Sequence, residues 1–157
     1  MRLDVDVQVP KPLLAALEPL GATCQLLGPG GTEYLPAEGG AYALILYLDR
    51  DCRVRRAQTA ETLAAGWYVY AGSAYGPGGL RARLARHLRR DKALRWHVDQ
   101  LSAQANYSAG LALAGGNECA IVGSLLETAR FDTPSPGFGS SDCRACASHL
   151  LKFRGDA

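Results

Sequence analysis

The run from Ala41 to Leu48 is eight consecutive apolar residues, and it restricts the fold more than any other stretch of the chain. Crossing a bilayer takes about 20 such residues, so the run is too short for a membrane span. A half-exposed strand would alternate apolar with polar side chains, and this one does not. Apolar on both faces, Tyr42 to Leu48 reads as a central strand covered on both sides. Asp49-Arg50-Asp51 reads as a turn, Arg53 to Gln58 as a more polar return strand, and Trp67 to Ala71 as a third strand. That order predicts a three-strand antiparallel meander.

Helices follow the meander. Leu80, Leu84 and Leu88 recur at i, i+4 and i+8, the stripe of an amphipathic helix. A second helix is expected from about Lys92 to Ala103, a further strand at Tyr107 to Ala112, and a helix from Glu118 to Arg130 with Asn117 as its N-cap. Upstream, Leu3, Val5, Val7 and Val9 alternate with polar residues like a strand, and Pro10 and Pro12 bracket the start of a short helix, Leu13 to Leu20. Glycines at 28, 30, 31, 39 and 40 then punctuate the chain. We therefore expect an α+β fold, a small three-stranded antiparallel sheet flanked by helices over residues 39–157, preceded by an N-terminal extension, residues 1–38. A chain of 157 residues has room for one such domain.

The five cysteines at 24, 52, 119, 143 and 146 are odd in number and irregular in spacing, which predicts reduced thiols rather than a disulfide framework. The first six residues alternate charged and apolar side chains and lack the apolar stretch of a secretory signal, so a cytoplasmic location is expected.

Charge is unevenly distributed. Leu80 to Arg95 holds six arginines and Lys92 against Asp91, a local charge of +6, which leaves −4 for the rest of a chain whose formal charge is +2. A basic segment on an acidic body is the footprint of polyanion binding, although a solvated helix face has the same composition. On a helical wheel Arg83, His87 and Arg90 share a column beside the leucine stripe, where a guanidinium could grip a phosphate. Arg81, Arg86, Arg89, Arg90 and Lys92 would extend that field; the alternative is that the stems and rings simply cover the stripe. Glu118 lies on the same helical face as Ile121, Val122 and Leu125 and so points inward. An inward carboxylate needs a partner, a proton or a cation, unless it reaches solvent from the first turn and complements the helix dipole. Tyr42, Tyr70 and Tyr68 stand beside glycine turns, either as accessible hydroxyls or as ordinary aromatic packing.

Gly40-Ala41-Tyr42, Tyr70-Ala71-Gly72, Leu80-x-x-Arg83-x-x-x-His87 and Glu118 at a helix start occur in the order of the GIY-YIG nuclease superfamily, which the chain resembles. Trp67 to Ser73, Gly78 to Leu84, Leu94 to Asp99, Asn117-Glu118-Cys119 and Gly137 to Cys143 with Ser148-His149 resemble more closely its DUF123 subgroup, over about residues 39–153. The resemblance implies a metal-dependent endonuclease hydrolysing DNA phosphodiester bonds, structure-selective or weakly sequence-specific, with RNA also open as substrate. It assigns water activation to Tyr42, support to Tyr70, charge stabilisation to Arg83, a neighbouring polar role to His87, and one Mg²⁺ or Mn²⁺ ion to Glu118. A tyrosine serving as base at neutral pH requires its pKa to be lowered, and Arg83 and the metal are the groups expected to do so.

The match departs from the pattern in three ways. Twenty-seven residues separate Tyr42 from Tyr70, more than in typical members, which implies a longer intervening hairpin. Alanine replaces isoleucine in both tyrosine motifs, and the Gly72 to Arg83 loop is extended. No separate recognition domain is evident, so specificity would be weak or supplied by a protein partner. Cys143, Cys146 and His149 suggest zinc, with Cys119 or His97 as a fourth ligand, but their spacing is not a usual finger pattern and structural thiols are the favoured expectation. The rival readings of function are a noncatalytic nucleic-acid-binding module on the same fold and a protein-interaction domain.

Overall fold

A computed structural model describes residues 8–21, 28, 30–56, 58–140 and 143–155. The strand expected at Leu3 to Val9 lies almost wholly outside the described residues. Pro10 precedes a short helix, α1 (Lys11–Leu17), which a 3-10 turn, Glu18–Leu20, continues. A second 3-10 turn, Thr32–Tyr34, leads into β1 (Gly40–Leu48). The remaining elements are β2 (Cys52–Arg56), β3 (Thr59–Leu63), β4 (Gly66–Ser73), α2 (Gly79–Leu88), α3 (His97–Ser102), β5 (Tyr107–Ala114), α4 (Glu118–Glu127), β6 (Phe131–Asp132) and β7 (Leu150–Phe153).

The sheet has five strands in the order β5-β1-β4-β7-β6, all neighbours antiparallel, rather than the three expected. β1 is central, as its two apolar faces predict, and nearly all its residues are buried. The expected meander is not formed. The polar return strand β2 does not join β1; it pairs with β3 in a separate two-stranded sheet, and β4 takes the place beside β1. The physical reason lies in the alternation of β2, where Cys52 and Val54 are buried and Arg53 and Arg55 exposed: a strand with one wet face suits a hairpin laid over the core and not the middle of a covered sheet. This hairpin accounts for the long separation of Tyr42 from Tyr70. β6 and β7 were missed because two and four residues are too few to show a period.

Alternation along β1 divides the core in two. Tyr42, Leu44, Leu46 and Leu48 face one apolar layer with Leu80, Leu84 and Leu88 of α2 and Val98 and Leu101 of α3. Ala41, Ala43 and Ile45 face the other, with Ile121, Val122 and Leu125 of α4 and Leu13 and Leu17 of α1. The helix of the N-terminal segment thus packs into the core of the domain. α3 is much shorter than the expected Lys92 to Ala103, because residues 89–96 form irregular structure. α4 starts where Asn117 predicts: its side chain accepts the Cys119 and Ala120 N–H groups. Among the described residues no helix is long and apolar enough to cross a membrane.

Candidate active cleft and cysteine-histidine cluster

The antiparallel register of β1 and β4 sets Tyr42 opposite Gly72 and Leu44 opposite Tyr70. Side chains two residues apart on a strand share a face, so both tyrosines project towards α2, their ring centroids 6.5 Å apart. They open onto a cleft of about 530 Å³ whose lining includes Arg83 and His87 of α2, Trp96, Glu118 of α4, and Cys143, Arg144 and His149. All five residues expected at the catalytic site, Tyr42, Tyr70, Arg83, His87 and Glu118, therefore line one cavity. Gly72 is glycine because a Cβ there would overlap the Tyr42 hydroxyl. Gly139 combines a φ of +68° with a position where a Cβ would lie 2.7 Å from the Tyr70 ring.

The Tyr42 hydroxyl lies 2.7 Å from Nε2 of His87, and both side chains are buried. Burial is the chief reason that the His87 pKa falls from 6.5 to about 3, with Lys92 adding to it, so the imidazole is neutral. Nδ1 of His87 is buried without a hydrogen bond among the described residues and faces Oδ1 of Asp99 at 3.9 Å. The carboxylate favours the proton on Nδ1, which leaves Nε2 to accept a hydrogen bond from Tyr42. Arg83 lowers the Tyr42 pKa, as expected of it, but burial, assisted by Tyr70, outweighs it and pushes the pKa well above the ordinary range. Tyr70 is likewise pushed up to about 12, by burial first and then by Asp99.

Asp99 anchors the floor of the site. Its fully buried carboxylate accepts two hydrogen bonds from the Arg86 guanidinium, at 2.7 and 3.0 Å, and the N–H groups of Arg95 and Trp96. Burial acts to raise its pKa, but the Arg86 hydrogen bond and the two backbone donors prevail and bring it down to about 2. Trp96 packs against two guanidinium groups, Arg83 at 4.4 Å and Arg86 at 4.1 Å from the ring centroid. Arg83 has no acidic partner among the described residues, whereas Arg86 is occupied by Asp99.

The expected phosphate-binding residues divide in the same manner. Arg81 donates Nε–H to the Leu35 carbonyl, and Lys92 donates to the His87 carbonyl and the Ser102 hydroxyl. With Arg86, these are internal fasteners; Arg89 and Arg90 are exposed. Sequence reasoning did not assign Asp99, Trp96, Gly139 or Arg144 to the site. Asp99 fell within the helix expected from Lys92 to Ala103, and nothing local indicated its burial.

A second constellation adjoins the cleft. One donor atom each from Cys119, Cys143, Cys146 and His149 lies within 4.8 Å of every other, so the four could hold a metal ion. Sγ of Cys119 is 3.3 Å from Sγ of Cys143 and 3.9 Å from Nε2 of His149. Structural thiols were the favoured expectation here, because the spacing is not a usual finger pattern; of the two candidates for a fourth ligand, Cys119 and His97, it is Cys119 that the fold brings against Cys143.

An antiparallel sheet clad by helices on both faces, with a tyrosine-lined cleft and a cysteine-histidine cluster on its rim, defines the class of molecule. Residues 41–157 match the model of the DUF123 family, described as a domain of unknown function, and the chain belongs to that family. No curated protein and no solved structure matches it.

Proposed function

We propose that this chain is a metal-dependent phosphodiesterase of the GIY-YIG type that cleaves nucleic acid, DNA in the first instance. The observation that carries the reading is the 2.7 Å contact between Tyr42 and a neutral His87 in a cleft that Arg83 and Glu118 also line. A buried tyrosine with a raised pKa does not act as a free phenolate. It relays: a water attacking phosphorus gives its proton to the Tyr42 oxygen while the Tyr42 proton moves to Nε2 of His87. Asp99 then faces the imidazolium, and Arg83 meets the charge on the phosphoryl oxygens.

Glu118 suits a hard divalent cation. Mg²⁺ commonly binds through one or two carboxylates and completes its shell with water and substrate phosphate. A cation held there would supply charge stabilisation at the phosphate and at the oxygen that leaves as its bond to phosphorus breaks. Exposed Arg89 and Arg90 would contact the phosphate backbone.

The test is cleavage of labelled DNA and RNA duplexes, junctions and single strands with Mg²⁺ or Mn²⁺. The wild type should cut at least one substrate. Glu118→Ala and Tyr42→Phe should lose about 10²-fold or more in rate while binding it with little change. Equal binding by all three proteins with no cleavage would favour a noncatalytic binding module instead.

A further inference from the structure

The segment between β6 and β7, residues 133–149, is a long connection, and connections above about 15 residues without regular structure are uncommon. Main-chain hydrogen bonds among its described residues include Gly137 N–H to the Ala147 carbonyl at 2.6 Å and Cys143 N–H to the Ser140 carbonyl at 2.9 Å. Its end is well anchored. His149 donates its N–H to the Phe138 carbonyl and accepts the Ala71 N–H, both at 2.9 Å, which holds it against β4 beside Tyr70. Across from it, Cys119 sits in the first turn of α4, directly after Glu118.

Three sulfurs and one imidazole nitrogen make a soft donor set that selects zinc over magnesium or calcium. With Zn–S about 2.3 Å and Zn–N about 2.0 Å, tetrahedral coordination separates donors by about 3.5–3.8 Å. The Cys119–Cys143 and Cys119–His149 separations, 3.3 and 3.9 Å, bracket that range, and all four donors lie within 4.8 Å of one another. Four protein ligands close the coordination sphere, which is the signature of a structural rather than a catalytic site.

We infer that Cys119, Cys143, Cys146 and His149 form a structural zinc centre that ties the first turn of α4 to the segment before β7, and so seats Glu118 and Arg144 in the cleft. Arg144 lies between two of the ligands in the chain, lines the cleft and has no acidic partner among the described residues. It is a substrate-binding cation whose position is set by the ion. This second half rests on the proposed nucleic-acid substrate; the zinc centre does not.

The full chain, purified under reducing conditions without added metal, should carry one zinc per molecule by elemental analysis. Adding a chelator should expose three further thiols to an aromatic disulfide reagent, and Co²⁺ reconstitution should give the visible bands of a tetrahedral thiolate site. Cys143→Ser should abolish stoichiometric binding, and Cys52→Ser and His97→Ala should keep it. A disulfide between Cys119 and Cys143, or no zinc even after incubation with excess Zn²⁺, overturns the centre. Because thiol counting uses the wild type, it decides the matter even if a variant does not fold. For the second half, binding of a labelled DNA junction is measured against salt without Mg²⁺. Arg144→Ala and the chelated wild type should each lose about one unit of slope. Zinc-loaded Arg144→Ala that binds with the wild-type slope overturns the role of Arg144 and leaves the zinc centre intact. A wild type that binds DNA but never cuts removes the hydrolytic reading alone.

Discussion

Across β1 and β4, Tyr42 faces Gly72, and the hydroxyl occupies the space a Cβ would need. Gly72→Ala forces the ring away from His87, so it should lose activity to the extent that Tyr42→Phe does and destabilise the fold by about 1–3 kcal/mol. Cleavage assays with a urea melt check this; wild-type activity in Gly72→Ala would remove Tyr42 from the chemistry. The motifs that joined these residues were visible along the chain, as was the i, i+4 spacing of Arg83 and His87. What spacing could not show is protonation. His87 is neutral because it is buried, and Tyr42 is a hydrogen-bond donor because the same burial disfavours its phenolate.

Elements add constraints that no single side chain reveals. α4 is defined at its start by the Asn117 cap, which was legible in the sequence, and at its end by Ala129, which adopts a φ of 59°. That conformation disfavours any residue with a Cβ, and Ala129 is exposed, so nothing else is disturbed by replacing it. Ala129→Gly should stabilise the protein by about 0.5–1 kcal/mol, read as a higher urea midpoint with an unchanged slope. No stabilisation would mean that entropy lost from the unfolded chain equals the strain relieved. On α2, the leucine stripe foretold the buried face, but the arginines that look alike on a wheel have different fates. Arg86 is drawn to a buried carboxylate and Arg81 to a carbonyl, while Arg83 rests on Trp96 with no acidic partner among the described residues.

For the molecule as a whole, the buried ionisable groups couple stability to acidity. His87 has a folded pKa of about 3 against an ordinary 6.5, so between those values the unfolded chain binds the extra proton and stability falls as pH falls. Asp99, at about 2 against 3.8, contributes stability that is complete above 3.8 and lost as pH falls through 2. The unfolding free energy of the wild type, read from urea melts, should therefore decline by an additional amount of about 1.5 kcal/mol between pH 6.5 and 5, relative to His87→Gln. Equal declines would show that His87 titrates as an exposed histidine.

The central covered strand, the leucine-faced helix, the Asn117 cap and the ordered tyrosine, arginine, histidine and glutamate motifs were all legible along the chain, because each is written in local spacing or in short runs of residue type. Packing in three dimensions was needed to take the polar hairpin out of the sheet, to extend that sheet to five strands with β6 and β7, to bury Asp99 under His87, and to bring Cys119 against Cys143. Those outcomes turn on which surfaces exclude water and which distant segments then become neighbours, and neither quantity has a period along the chain.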